Sequence, residues 1–176
     1  MRRTVLVLLG LVLPALAAET MHEAAGLGFS VPKGWQQVRT ASPIRAAQFR
    51  IPRARGDAED GELILFRLEE TKGPFDVVER WYAQFTQPDG RPSKDAATVS
   101  TRTVNGLTVK TIDLSGAYRA QMGPMEHPSR PGYRLLGAVV EGDGGPWYWR
   151  AVGPAATIAK AKEGFDALVD SLQVQR

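Results

Sequence analysis

The Asn105-Gly106 pair, set between two runs of strand-forming residues, narrows the folds open to this chain more than any other feature. An Asn-Gly pair readily takes the two left-handed conformations of a tight hairpin turn. Thr98 to Val104 and Leu107 to Leu114 are the strands it joins. A second hairpin is read around Gly142-Asp143-Gly144-Gly145, between Tyr133–Glu141 and Trp147–Val152. Upstream, Gly28 to Val31 and Trp35 to Val38 read as short strands joined by Pro32-Lys33-Gly34. Arg45 to Ile51 places Ala47, Phe49 and Ile51 on one face. The polar loop Pro52 to Gly61 leads into Glu62–Leu68, which is apolar on both faces and so needs cover on both. Gly73-Pro74 opens a helix with Phe75, Val78, Trp81 and Phe85 in one stripe, stopped by Gln87-Pro88-Asp89-Gly90. Gly153-Pro154 opens another, striped by Ile158, Ala161, Phe165, Leu168, Val169 and Leu172. Hairpin-linked strands make an antiparallel sheet, and two amphipathic helices must bury their stripes on it, so the fold class is α+β.

The first residues are read as a leader. Arg2 and Arg3 precede an apolar run from Val5 to Leu13, followed by Pro14 and Ala15-Leu16-Ala17. That pattern is a secretory signal peptide over residues 1–17, and its apolar run falls short of the ~20 residues a bilayer span needs. Residues 18–26 are expected to form a flexible tail and residues 27–176 a single domain. With the two leader arginines gone, twenty basic side chains face nineteen acids, which gives no support for a nucleic-acid partner. Roughly 158 residues can bury a core of their own. The chain has no Cys, so disulfides, thiol nucleophiles and thiolate metal sites are all excluded.

Several segments together resemble Mog1/PsbP-like proteins. They are Gly28-Phe29-Ser30-Val31-Pro32-Lys33-Gly34-Trp35, Arg80-Trp81 followed by Gln84-Phe85, Gly116-Ala117-Tyr118, and Gly153-Pro154 opening a terminal helix that ends in Ser171-Leu172. The resemblance spans essentially the whole mature chain. It implies an α/β/α sandwich around a central antiparallel sheet. Family members include a photosystem II extrinsic subunit, a nuclear transport factor that binds a small GTPase, and many exported bacterial proteins of unassigned role. What they share is binding to macromolecules, and no family catalytic motif exists to carry over.

The side chains offer three candidate surfaces. Trp147 and Trp149 share one strand face, where they could stack a sugar or a peptide or else pack beneath a helix; Trp81 belongs to the core. Arg39, Arg45, Arg50, Arg53 and Arg55 precede any acid over 17 residues and could dock an anionic partner, unless Asp57, Glu59, Asp60 and Glu62 neutralise them locally in a solvated hairpin. Met122, Met125 and His127 lie in the Pro- and Gly-rich loop 121–132, and thioether with imidazole suits Cu(I). Met21-His22 repeats the pair in the tail. Arg67 and Arg150 stand inside apolar strands and need either a carboxylate, with Asp113 available, or a route to water.

Hydrolytic constellations are poor: no Gly-x-Ser-x-Gly elbow exists, and a triad would depend on His22 or His127. The sequence is therefore read as an exported, non-enzymatic, monomeric binding module. It needs no cofactor, has no transmembrane anchor, and acts through a protein or cell-envelope partner. The alternative is a small-ligand or copper-binding protein using the 121–132 loop. Ala15 and Ala17 are the small residues a signal peptidase requires, so N-terminal sequencing of the exported protein should begin at Ala18. A protein that starts at Met1, or inside the domain, contradicts the leader reading.

Overall fold

Asn105 and Gly106 have φ of 49° and 84° in the computed structural model, which describes residues 20–40, 42–67, 74–120, 128–143 and 145–175. Positive φ at both central positions gives the type I′ twist that matches the flanking strands. In chain order the strands are β1 (Thr20–Ala24), β2 (Leu27–Val31), β3 (Gln36–Gln37), β4 (Arg45–Ile51), β5 (Gly61–Arg67) and β6 (Phe85–Thr86). Then come β7 (Thr98–Val104), β8 (Leu107–Tyr118), β9 (Arg130–Glu141), β10 (Trp147–Pro154) and β11 (Gln173–Val174). The helices are α1 (Pro74–Ala83), the short α2 (Ser93–Ala96) and α3 (Ala155–Asp170).

The main sheet runs β3-β4-β5-β10-β9-β8-β6, with β7 also on the outer edge of β8. All pairings among the described residues are antiparallel. Because strand side chains alternate, the sheet has two separate apolar faces. One gathers Phe49, Leu63, Leu65, Leu136, Ala138, Trp147 and Trp149 against the α3 stripe of Ile158, Ala161, Phe165, Leu168 and Val169. The other gathers Ile112, Leu114, Leu135, Val139 and Tyr148 against Val77, Val78 and Trp81 of α1. The expected double cover of Leu63–Phe66 is thus real, with Leu63 and Leu65 in the first cluster and Ile64 buried on the reverse side.

Three features depart from the sequence reading. Residues 20–24 of the expected tail form β1, paired with β2 from Thr20↔Val31 to Ala24↔Leu27. There the His22 ring stacks on Phe29 at 5.7 Å, so cross-strand packing supplies what a polar pentapeptide lacks by itself. With β11, β1 and β2 make a second, three-stranded sheet. Leu27, Phe29 and Val31 of that sheet join the α3 cluster, so the cover on this face is a helix plus a small sheet rather than a helix layer alone. The first helix also ends sooner than Gln87, because Phe85 and Thr86 pair with Tyr118 and Ala117.

Trp81 packs against Gly137: a Cβ there would stand 2.5 Å from Trp81 Cζ3. It also meets Tyr148 edge-on at 6.3 Å and Phe66 at 6.4 Å. The Tyr148 hydroxyl in the same layer is buried without a hydrogen-bond partner among the described residues, which costs stability, and burial pushes its pKa up. Urea melts should therefore separate these two aromatics. Trp81→Ala should lose ~3–5 kcal/mol by opening a cavity, while Tyr148→Phe should leave stability unchanged or raise it. The raised Tyr148 pKa makes folded protein lose stability as pH climbs past the ordinary phenol value of 10.0, and Tyr148→Phe should flatten that fall. A loss below ~1 kcal/mol for Trp81→Ala would contradict this packing.

Candidate functional site

Beyond the end of α1 the apolar layer stops and the same sheet face turns polar. A cleft of about 430 Å³ opens there, within the range of small-ligand sites. Its floor is Glu62 of β5, Arg150 and Val152 of β10, Tyr133 of β9 and Tyr118 of β8. Gln84, just after α1, lines it too, with Arg45, Glu59, Asp60, Ala120 and Arg130.

Two tyrosines and two arginines form its centre. Tyr118 and Tyr133 stack at 5.5 Å with planes 16° apart. The Arg130 guanidinium lies 5.0 Å from the Tyr133 ring centre and 5.7 Å from that of Tyr118, and it donates to Tyr133 Oη at 3.0 Å and Glu59 Oε1 at 2.9 Å. Arg150 donates from Nη2 to Tyr118 Oη at 2.7 Å, with its guanidinium 5.6 Å from that ring. Register fixes the face that Arg150 takes: it faces Gly137 of β9 and Gly137 faces Ile112 of β8, so all three share one sheet face.

Within the arginine cluster read from the sequence, Arg45, Arg50 and Arg53 are each held by local partners. Arg45 donates to Glu62 Oε1 at 3.1 Å and Gln48 Oε1 at 2.9 Å, and Gln48 donates to Glu62 at 2.7 Å. Arg50 pairs with Asp60 at 3.3 Å. Arg53 is held by its backbone N–H on Asp60 and its guanidinium on the Ala58 carbonyl. The hairpin is more than a solvated loop, because Asp57 accepts from the Thr157 backbone N–H at 2.8 Å, at the start of α3. Of these arginines, Arg45 alone lines the cleft.

Trp147 and Trp149 do not form a binding surface. They are 2% and 0% exposed, because their face is the one α3 and β2 cover. Trp147 Nε1 donates to the Ala25 carbonyl at 2.8 Å, and Trp149 meets Phe29 edge-on at 4.7 Å. The Asp113 pairing is also corrected. Asp113 takes a bidentate contact from Arg134, at 2.8 and 2.6 Å, because it faces Leu136 and Arg134 lies two residues along the same face of β9. Arg150 lies on the opposite face, one residue out of phase with Asp113. Arg67 lies over the Trp147 ring at 4.5 Å and donates to the Ala25 and Asp143 carbonyls. Met122, Met125 and His127 lie outside the described residues. Among those described, no group of three or more His, Cys, Asp or Glu could hold a metal ion.

The sequence reading missed Gln84, Arg130 and Tyr133 as site residues, and it named Tyr118 only within a fold signature. The usable signal was Arg150 inside an apolar strand, with tyrosines on both sides of the 121–132 loop.

No protein-family model matches the chain, and no curated protein matches it by sequence. Solved structures do. The solution structure of cyanobacterial PsbP (CyanoP) from Synechocystis sp. PCC 6803 is 19% identical, with a TM-score of 0.52 over 94% of this chain and 98% of that one. LpqN, involved in cell envelope biogenesis of Mycobacterium tuberculosis, is 12% identical, with a TM-score of 0.54 over 90% of this chain and 91% of that one. At these identities the likeness speaks for the fold, and the protein has the mixed α/β, PsbP/Mog1-like fold with a mostly antiparallel sheet.

Proposed function

We propose that this protein is an exported, non-enzymatic binding module that engages a protein partner in the cell envelope through the Tyr118–Tyr133–Arg150 cleft. The observation that carries this reading is how the cleft's acids are used. Glu59 is held by Arg130, Glu62 by Arg45 and Asp60 by Arg50, so each carboxylate is tied to a guanidinium instead of standing free as an acid or base. A nucleophile needs an adjacent base within hydrogen-bond reach, and the described lining residues supply no such pair. What they supply is stacked aromatic surface and fixed donors, which suit recognition. The leader read at residues 1–17 supports a site of action outside the cytoplasm. None of the described helices is long and apolar enough to cross a membrane. LpqN, of similar fold, is a protein of envelope biogenesis.

A small-ligand or copper-binding role through the 121–132 loop is the second reading. It is favoured by Ala120 and Arg130, on either side of Met122, Met125 and His127, both lining the cleft. Anaerobic Cu(I) titration followed by tryptophan fluorescence tests it.

Crosslinking capture from the native envelope, run side by side with the unaltered protein and an Arg150→Ala/Tyr133→Phe variant that melts like it, tests the leading reading. Capture should drop at least tenfold in the variant. Equal capture by both proteins places the partner surface outside the cleft.

A further inference from the structure

Counting hydrogen-bond donors and acceptors in the cleft shows what it lacks. Tyr118 Oη already accepts from Arg150, and Tyr133 Oη from Arg130. Each phenol therefore has its own O–H left to donate, and neither donates to any described residue. Arg150 adds a further unused donor: its Nε–H is buried with no partner among the described residues. It is also the one arginine lining the cleft that makes no ion pair among the described residues, since Arg45 and Arg130 hold Glu62 and Glu59. Three donors and one arginine without an ion pair thus line a single cleft, whose own carboxylates are each held by another arginine. A guanidinium with phenol O–H groups beside it matches the acceptor-only, planar geometry of a carboxylate.

One group in the cleft has the opposite need. Gln84 Oε1 is buried and accepts from no described residue, so it calls for an N–H donor on the ligand. A buried polar atom without a partner costs stability, and a ligand that satisfies both Gln84 and Arg150 relieves two such costs at once. A carboxylate next to an amide N–H is the end of a polypeptide: the terminal carboxylate would meet Arg150 and the phenols, and an adjacent backbone N–H would meet Gln84. Resting on the cleft reading above, we propose that the cleft recognises the free C-terminal carboxylate of a partner protein. The Tyr118–Tyr133 stack and the covering Arg130 then form an aromatic and cationic wall beside the last residues of that chain.

The test uses small probes on the unaltered, 15N-labelled exported protein, reading the Arg150 Nε–H resonance. N-acetyl-alanyl-alanine should shift that signal saturably, while its C-terminal amide should bind at least tenfold more weakly. Acetate, which has the carboxylate but no N–H for Gln84, should fall between them. N-acetyl-aspartyl amide, an internal side-chain carboxylate, should also be weaker than the free terminus. Followed by the backbone amide shifts of the cleft residues, Arg150→Lys, which removes the planar fork, should weaken the acid at least tenfold, and Gln84→Ala should abolish its advantage over acetate. Equal binding of acid and amide, or binding of none of the probes, overturns the proposal. So does N-acetyl-aspartyl amide binding as tightly as the free terminus, which would make the ligand an acidic side chain. Each of these results leaves the capture experiment free to succeed, so failure of the C-terminus proposal can be told apart from failure of the cleft as a partner surface.

Discussion

The alternation of β10 is the constraint on which the rest of the molecule depends. This strand lies inside the sheet between β5 and β9, so both of its faces must be covered. Trp147, Trp149 and Ala151 go to one cluster; Tyr148 and Val152 go to the other. Arg150 falls on the second face, between two buried apolar neighbours. A one-residue slip would drive both indoles towards the cleft and the guanidinium into the α3 core. Burying two tryptophans and seating one arginine are therefore one structural decision. Each large aromatic gains ~1.5–3 kcal/mol on burial, enough to fix the register and to hold an arginine where it adds little stability.

On the Arg150 face, Trp81 sits over Gly137, directly across from Arg150. The missing Cβ lets the indole approach the sheet, and the apolar layer continues one row past it through Leu135, Leu114 and Val152. The next side chains, Tyr118 and Tyr133, count with the cluster at their rings and with the cleft at their hydroxyls. The packed layer and the cleft therefore share residues at this boundary. The rings are fixed by stacking while the polar ends are held by Arg130 and Arg150. Such pre-positioned groups lose little entropy on meeting a ligand.

Local pattern made much of this fold legible in the sequence. The I′ turn at Asn105-Gly106, the β9–β10 hairpin, the α3 stripe and the shared face of Ala47, Phe49 and Ile51 all follow from spacing over a few residues. Three matters depend on distant partners and were not legible. Which face Trp147 and Trp149 would take was open, because a period of two shows that they agree and not where they point. The strand at Thr20–Ala24 lacks an apolar pattern of its own and exists because β2 offers an edge and Phe29 offers a ring to His22. The cleft draws Arg45, Gln84, Tyr118, Tyr133 and Arg150 from separate parts of the chain, and no short spacing connects them. Asp113 appeared to be a partner for Arg150 until register put the two on opposite faces.

The central claim is that Arg150 is kept for recognition rather than for folding, and a comparison of stabilities tests it most directly. Arg150→Met keeps a long apolar stem in the cleft floor and removes a charge with no ion-pair partner among the described residues. Arg45→Met instead breaks the pairing with Glu62 and Gln48. Functional sites commonly give up ~0.5–2 kcal/mol of stability that such substitutions restore. Arg150→Met should raise the urea midpoint at neutral pH, while Arg45→Met should lower it or leave it unchanged. A drop of more than ~1 kcal/mol for Arg150→Met, as expected when a structural tie is cut, would contradict the account and make the Arg150–Tyr118 contact part of the scaffold.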